Sequence, residues 1–246
     1  MKIVLFSDIH ANLPALEAFF ADIEFQKPDA LYCLGDLVGY NVHPNEIIAE
    51  IRKRRIPTIA GNHDLKVIGL APVTDDQLQA SGKNFAYHII SADNRNYLST
   101  LPAHIRLEFQ VNSNPLNILL VHGSPRSVYE YILADTDETY ILELLQETNA
   151  DILCVGHSHK PYHRVIKRDN GTVAHVINIG SVGKPKDGNP KGCYVILDIN
   201  IDSDLINKDS IEVTFIRFEY NIEQAVNDIE QSPLPNELAD MLLGAY

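Results

Sequence analysis

The chain has 246 residues, of which 45% are hydrophobic and 22% charged, as is ordinary for a folded globular protein. Its formal net charge of −13 disfavours non-specific binding to nucleic acids and to anionic membranes. No apolar stretch approaches the roughly 20 residues that a membrane-spanning helix needs, and the N-terminus lacks the pattern of a signal peptide. Three sparse cysteines, Cys33, Cys154 and Cys193, indicate buried, reduced thiols. We therefore predict a soluble, cytoplasmic protein.

The first 60 residues alternate between strands and helices. Short apolar runs predict strands at Lys2–Phe6, Ala30–Leu34 and Ile56–Ala60. Asn12 is a predicted cap for a helix whose apolar residues recur at helical spacing from Leu13 to Ile23, and Pro44 begins a second helix. Strands and helices in this order indicate βαβ units with a parallel core.

The remainder of the chain contains a helical region followed mostly by strands. Thr74 and Gln77 resemble a capping box that begins a helical stretch reaching about Leu101. A turn at Asn112-Ser113-Asn114-Pro115 joins the next two predicted strands, and Glu138–Leu145 is a predicted helix. The predicted strands of this part are His104–Val111, Leu116–Val121, Asp151–Val155, His163–Lys167, Thr172–Ile179, Gly192–Ile199 and Ile211–Phe218.

An alternating front half and a mostly β back half predict an α/β fold, in the form of an α+β sandwich. Two mixed β-sheets packed face to face and flanked by helices would satisfy both halves. The sequence has no internal repeat, no low-complexity segment and no clear linker. We predict a single domain over residues 1–246 with a C-terminal helical extension from about residue 221, although the length alone is also compatible with two small domains.

Residue types that bind metals come immediately after five of the apolar runs. They are Asp8 and His10, Asp36, Asn62, His122, and His157 and His159. Ligands of open α/β sheets bind in the crevice at the carboxyl ends of the strands, so these side chains meet if the strands share a sheet edge. Residues two apart on extended backbone point the same way, so the Asp-x-His and His-x-His pairs can each present two ligands to one place.

Seven donors are too many for one tetrahedral ion and suit two adjacent divalent ions that share a bridging carboxylate. Two ions about 3.5–4 Å apart can bind a phosphoryl group and activate the water between them. Oxygen and nitrogen donors without sulfur favour Mn, Fe, Zn, Co or Ni over Ca or Mg. Each of these residues taken singly is better explained as a cap, a turn or a core residue. Their occurrence at five strand ends in one order favours the metal site.

The same residues carry a family resemblance. The motifs D-x-H, G-D, G-N-H-D, V-H-G and G-H-S-H, in this order, resemble those of the calcineurin-like metallophosphoesterase superfamily. The segments SDIHANLPAL, GDLVGYNVHPNE, VHGSP, GHSHKPY and NIGSVGKPKDGNP are similar to its small bacterial and archaeal phosphodiesterase branch. This resemblance extends from about residue 3 to residue 199. It implies two mixed sheets flanked by helices, in agreement with the fold predicted above.

The resemblance also implies a role for each motif residue. The first ion would be held by Asp8, His10 and His159, the second by Asn62, His122 and His157, and Asp36 would bridge the two. His63 would bind no metal and would face the substrate, where it stabilises the phosphoryl oxygens or protonates the leaving oxygen. The bridging water would attack phosphorus in line, and Asn62 would also touch the phosphate. Asp64 would either orient a neighbour or cap the following helix.

Departures from the motifs of the protein Ser/Thr phosphatases argue against a protein phosphatase. Gly39 and Tyr40 stand where protein Ser/Thr phosphatases of the superfamily carry an acidic residue and an arginine, and Asp64 stands where they carry Glu. Ile179 replaces a proline that is usual in the late motif. We therefore predict a metal-dependent phosphoesterase that hydrolyses phosphodiesters, with some monoesterase activity, and that takes a small phosphoester as substrate.

Two other functions are weighed against this one. A non-catalytic metal-binding scaffold of the same fold would bind protein partners, but the presence of His63 and of the complete donor set argues against it. The His-x-His pair alone would suit an amidohydrolase, but the first strand is followed by Asp-x-His instead. The residues just after the motifs could line a substrate cleft: Tyr40, Asn41, Arg126, Lys160 and Lys184. The sequence leaves the oligomeric state, the natural substrate and the metal used in the cell open.

Overall fold

The computed structural model describes residues 1–111 and 114–246. Its strands are β1 (Lys2–Phe6), β2 (Ala30–Cys33), β3 (His104–Val111), β4 (Asn114–Val121), β5 (Ile152–Val155), β6 (Tyr162–Lys167), β7 (Val173–Asn178), β8 (Gly192–Asp198) and β9 (Glu212–Phe218). Its helices are α1 (Leu13–Gln26), α2 (Pro44–Lys53), α3 (Asn62–Lys66), α4 (Asp75–Gln79), α5 (Phe85–His88), α6 (Ala92–Ser99), α7 (Glu138–Thr148), α8 (Ile222–Glu230) and α9 (Glu237–Gly244). In this part of the chain, no helix combines the length and the apolar character needed to cross a membrane.

The strands form two mixed sheets, as predicted. The first sheet has the order β2-β1-β8-β9, and only its β1–β2 pair is parallel. The second sheet has the order β3-β4-β5-β7-β6, and β4, β5 and β7 are parallel to one another. Each sheet therefore has parallel strands at its centre or edge, whose carboxyl ends can present side chains to a common site.

The two sheets bury their inner faces against each other. Leu5 and Val195 of the first sheet belong to the same buried cluster as Ile118 and Leu120 of the second. The outer face of the first sheet is covered by α1 and α2, and that of the second by α7. Successive strand residues point to opposite faces, and both faces of each central strand are covered. Both sets of residues are therefore apolar, which explains the continuous hydrophobic runs in the sequence.

The helical layer is anchored by local signals that the sequence contains. The Asn12 side chain accepts a hydrogen bond from Ala15 N at 3.1 Å and caps α1, as predicted. Thr74 and Gln77 form the predicted capping box of α4. The C-terminal helices α8 and α9 pack on each other and against Tyr40, which lies next to the candidate site.

Several elements differ from their predictions. Residues 56–60 form no strand, since they make only a Cys33–Thr58 bridge beside β2 and Pro57 has no N–H to donate. The predicted helical stretch to about Leu101 breaks into short helices around a left-handed Gly82 and a new N-cap at Ser91. Of the predicted turn, residues 112 and 113 lie outside the described residues, and 114 and 115 belong to β4.

Candidate metal centre

The candidate metal centre lies where the carboxyl ends of strands from both sheets meet. Asp8 and His10 follow β1 and Asp36 follows β2, all from the first sheet. His122 follows β4 directly, while His157 and His159 follow β5 of the second sheet. Asn62 begins α3, after the segment that runs beside β2. The predicted donors therefore lie together, although their strands belong to two facing sheets and do not share one sheet edge.

One group of donors surrounds the Asp8 carboxylate. Asp8, His10, Asp36 and His159 each offer a ligand atom, and these atoms all lie within 4.8 Å of one another. The His159 Nε2 atom lies 3.1 Å from Asp8 Oδ1 and 3.1 Å from His10 Nε2. The His10 Nε2 atom lies 3.5 Å from Asp36 Oδ2. These separations are those of ligands that can share one ion.

A second group uses Asp36 again. Asp36, His122 and His157 offer ligand atoms within 4.8 Å of one another. The His122 Nε2 atom lies 3.4 Å from Asp36 Oδ2 and 3.1 Å from Asn62 Oδ1. The carboxylate of Asp36 is therefore common to both groups, which is the arrangement that a bridging ligand requires.

The buried oxygens of this site fit a cation. Asp8 Oδ1 and Asp36 Oδ2 are buried and have no hydrogen-bond partner among the described residues. An unpaired buried carboxylate oxygen costs several kcal/mol unless a charge compensates it. A divalent ion with these oxygens as ligands would supply that compensation, so the residues present fit a metal.

Backbone carbonyls fix the orientation of the histidines. The Nδ1 atoms of His10, His122 and His159 lie 3.0, 2.7 and 2.5 Å from the carbonyl oxygens of Val38, Leu34 and Lys184. Because a carbonyl only accepts, Nδ1 donates in each bond, and in the neutral form of each imidazole Nε2 then carries the lone pair. This is the tautomer that turns a lone pair towards an ion.

The donors sit on unusual backbone. Asp8, His10, Asp36, His157 and His159 all have positive φ, between 51° and 62°. Left-handed backbone is uncommon outside glycine and costs on the order of 1–3 kcal/mol per residue. The prediction had explained the two-residue spacing by extended backbone, and the structure replaces that reason with tight left-handed turns after each strand.

Asp64 holds the Asp36 turn in place. Its carboxylate accepts hydrogen bonds from the backbone N–H groups of Asp36 at 2.8 Å, Leu37 at 3.0 Å and Gly61 at 2.9 Å. Burial, and then the charge of Asp36, raises the pKa of Asp64 to about 7. Asp64 thus orients a neighbour and also binds the N-terminus of α3, so both alternatives of the prediction apply. Gly61 has to be glycine because a side chain there would strike the Asp36 carboxylate.

His63 stands beside the donors without joining them. Neither group of ligand atoms includes it. Its backbone N–H donates to Asp36 Oδ1 at 2.9 Å, and its ring centroid lies 4.8 Å from that of His10. Its Nδ1 atom lies 2.5 Å from the Tyr87 hydroxyl, so a phenol proton donated to Nδ1 would leave the ring proton of a neutral imidazole on Nε2. Burial lowers the pKa of His63 to about 3, and the imidazole is therefore neutral near pH 7.

The electrostatics of the site suit a cation. Burial works against the charged form of Asp8 and Asp36, but the surrounding imidazoles outweigh it and hold the pKa of both carboxyls below the usual value. Burial lowers the pKa of His159 to about 4. Burial also opposes the charged form of His122, but the carboxylates of Asp36 and Asp8 raise its pKa to about 10. A cation at this place would take over the role of that proton.

The predicted substrate contacts separate into different groups. Tyr40 lies against the centre, with its ring 4.7 Å from His10 and 4.8 Å from His63 between centroids. Asn41 is buried and donates to the His10 carbonyl at 2.8 Å, so it supports the backbone. Arg126 is paired with Glu147 on the surface.

The two predicted lysines also differ in exposure. Lys160 is exposed to solvent, whereas Lys184 is 1% exposed. The Lys184 ammonium donates to the Tyr246 carbonyl at 3.0 Å. Lys184 is therefore tied to the C-terminal segment and does not reach the surface.

Three residues near the centre escaped the sequence prediction. Tyr87 bonds to His63 from α5, Tyr131 stacks on His157 with ring centroids 4.2 Å apart, and the Lys186 ammonium lies 5.7 Å from the centre of the Tyr40 ring. None of them lies in a motif that ends a strand. Lys186 had a weak signal, since it belongs to the Pro/Gly-rich loop after β7. Tyr87 and Tyr131 had none, because only the tertiary fold brings them to the site.

Comparison with known proteins agrees with this geometry. A model of the calcineurin-like phosphoesterase superfamily domain matches residues 1–202, and the chain belongs to that superfamily. It is 31% identical, over a 255-residue alignment, to the uncharacterized protein MJ0912 of Methanocaldococcus jannaschii, covering 98% of this chain and 96% of the relative.

Solved structures resemble the chain over its full length. A metallophosphoesterase from Sphaerobacter thermophilus superposes with a TM-score of 0.79 at 27% identity, covering 100% of this chain and 99% of the other. The hypothetical protein PH1004 of Pyrococcus horikoshii superposes with a TM-score of 0.77 at 22% identity, covering 98% and 97%. The family and the predicted sandwich are thus confirmed, and the clustered donors are plausible ligands for the divalent metals of this superfamily.

Proposed function

We propose that this chain is a phosphodiesterase that works with two divalent metal ions. The observation that carries the proposal is the sharing of Asp36 by two groups of donors, since His10 and His122, one from each group, both lie within 3.5 Å of Asp36 Oδ2. Two ions that share one carboxylate would bind the phosphoryl oxygens and acidify a water for attack on phosphorus. The mixed oxygen and nitrogen donors favour Mn, Fe, Zn, Co or Ni.

The chain's own residues would divide the remaining work. Asp8, His10 and His159 would hold the first ion, and Asn62, His122 and His157 the second. The carbonyls behind the histidines keep Nε2 of His10, His122 and His159 turned inward. His63, neutral and held through Nδ1 by Tyr87, would donate a hydrogen bond from Nε2 to the phosphoryl group or to the leaving oxygen and would stabilise the charge that develops there. Asn62 would serve both an ion and the phosphate.

The same observations weigh against a non-catalytic scaffold. A scaffold that only binds metal has no use for an imidazole that lies beside the ligand groups without joining them, yet His63 is held there by its own hydrogen bond to a buried tyrosine. Catalysis explains this feature.

Metal replacement tests the proposal. The protein is stripped with EDTA, reloaded with Mn²⁺ and tested on bis-p-nitrophenyl phosphate, with bound metal counted by elemental analysis. We expect two ions per chain, activity that is lost with EDTA, and a loss of at least about a hundredfold in kcat for Asp36→Asn, which also binds fewer ions. Asp93→Asn is the matched control, because Asp93 is 76% exposed on α6 and paired with Arg52.

Two results would contradict the proposal. A metal-loaded wild type that hydrolyses no phosphoester would favour the scaffold. A single ion per chain in an active enzyme would remove the bridging role of Asp36.

A further inference from the structure

Three lysines gather on one side of the candidate metal centre. Lys160 follows His159 directly, and Lys184 and Lys186 come from the loop after β7. That loop is fastened to His159 twice, because Lys184 O accepts from His159 Nδ1 at 2.5 Å and Lys186 N donates to His159 O at 3.4 Å. The positions of the two loop lysines are therefore set by a proposed metal ligand.

The ring of Tyr40 connects these lysines to the reacting groups. The ammonium of Lys184 lies 5.0 Å from the ring centre, and that of Lys186 lies 5.7 Å from it, both within range of a cation–π contact. The same ring lies beside His10 and His63. The Tyr40 ring thus lies between the two ammonium groups and the side chains of His10 and His63.

Among the described residues, no Asp or Glu side chain forms an ion pair with either loop lysine, and the Asp8 and Asp36 carboxylates of the candidate centre act on Lys186 only from a distance. Lys184 is 1% exposed, and its ammonium donates to the main-chain oxygen of Tyr246 at 3.0 Å, so Lys184 already has a partner. Lys186 is partly buried, and among the residues that the structure describes its ammonium has neither a hydrogen bond nor an ion pair. The chain has 33 acidic residues against 20 basic ones, so carboxylates are plentiful, yet among the described residues none lies within ion-pair distance of the Lys186 ammonium. A partly buried ammonium without a partner costs free energy that a bound anion would recover.

We propose that Lys186, with Lys184 behind it, forms a subsite for a second phosphate group of the substrate. The inference rests on the proposed function and specifies its substrate class as a phosphodiester that carries a further terminal phosphate. A second phosphate lying across the Tyr40 ring from the scissile phosphorus would reach the Lys186 ammonium. Lysine suits this role because its ammonium is a compact charge that binds phosphate from several directions.

A pair of substrates with the same scissile bond tests the subsite. Thymidine 5′-(p-nitrophenyl phosphate) is compared with its 3′-phosphorylated form, so that only the second phosphate differs. We expect kcat/KM of the Mn²⁺-loaded wild type to be about tenfold higher for the phosphorylated ester. In Lys186→Met this ratio should fall to about one, and Lys186→Arg should restore part of it. Lys53→Met is the control, since Lys53 is 74% exposed and paired with Glu50.

A binding measurement separates the subsite from catalysis. Calorimetric titration of the Mn²⁺-loaded protein with thymidine 3′,5′-bisphosphate and with thymidine 5′-monophosphate should show tighter binding of the bisphosphate, and Lys186→Met should abolish the difference. Hydrolysis of both esters without preference would overturn the subsite and leave the phosphodiesterase standing. A bisphosphate preference that depends on Lys186, in a protein that hydrolyses neither ester, would support the subsite and refute the activity. A preference that survives in Lys186→Met would also overturn the subsite.

Discussion

His63 can be tested as a hydrogen-bond donor to the substrate without removing a metal ligand. Its hydrogen bond to Tyr87 provides a second position for that test. His63→Ala removes the imidazole but keeps the backbone N–H that donates to Asp36 Oδ1 at 2.9 Å. Neither group of donors includes the His63 side chain, so metal binding should persist. Loss of a general acid or of a donor to the phosphoryl group costs about 10²–10⁴ in rate. We expect His63→Ala to retain both ions and to lose that much of kcat.

Tyr87→Phe should produce a smaller, graded loss. It removes one hydrogen bond of 2.5 Å to a partly buried imidazole. A neutral hydrogen bond is worth about 0.5–1.5 kcal/mol, which corresponds to a loss of about 2- to 13-fold in kcat if the imidazole is held by it in the transition state. Tyr97→Phe, on α6 beneath the Arg52 guanidinium, is the matched control and should leave kcat unchanged.

A double-mutant cycle decides whether Tyr87 acts through His63. The assay is kcat on bis-p-nitrophenyl phosphate at saturating Mn²⁺, with metal content measured for every variant. In the His63→Ala background, Tyr87→Phe should have no further effect, because its partner is absent. A His63→Ala protein that has lost an ion would show that His63 is a ligand. Equal effects of Tyr87→Phe with and without His63 would show that the tyrosine acts elsewhere.

Three further predictions concern stability and support of the site. Burial, and then the charges of His163 and Arg168, lowers the pKa of His175 to about 4, whereas an unfolded histidine titrates near 6.5. The unfolded state therefore binds more protons between these pH values, so the protonation of His175 should lower the free energy of unfolding by about 2 kcal/mol as the pH falls from 7.5 to 5. His175→Gln should abolish that part of the pH dependence in urea titrations, and an unchanged pH dependence would refute the assignment. The Phe19 ring packs with its centroid 4.5 Å from that of Phe6, so Phe19→Ala should lower the free energy of unfolding by about 3–5 kcal/mol without changing the number of bound ions. A loss below about 1 kcal/mol in urea titrations would contradict the buried position of this ring. Asp64→Asn should weaken metal binding about 10- to 100-fold in a chelator competition, because the amide nitrogen accepts no hydrogen bond and at least one of the three backbone N–H groups loses its acceptor. An unchanged affinity would show that the Asp36 turn does not depend on the Asp64 carboxylate.

The sequence located the candidate site because each donor follows an apolar run directly. Asp8 and His10 come just after β1, and His122 comes just after β4. A strand end is a local feature, since the burial of the run and the polarity of the next residue can both be read in a short window. The helix caps at Asn12 and Thr74 are local in the same sense, and both formed as predicted.

Local signals failed where the outcome depended on competition between distant segments. Residues 56–60 read as a strand, but they lie at the edge of the first sheet beside β2, and Pro57 removes one donor of the ladder. The region to about Leu101 has helical spacing throughout, yet it folds as separate short helices, because Tyr87 and Leu98 pack into the same core beneath α1 and α2. Tertiary packing decided both elements.

The sequence by itself determined the candidate donors, the family and the two-sheet architecture, because these depend on residue types and on the order of apolar runs. Only the tertiary structure decided that the donors meet across two facing sheets, that five of them stand on left-handed backbone, and that Tyr87 and Lys186 lie beside them. The convergence of the donors and the contacts of Tyr87 and Lys186 join residues tens of positions apart, because they arise from tertiary packing. No window of the sequence contains both partners, so neither composition nor spacing could have revealed them.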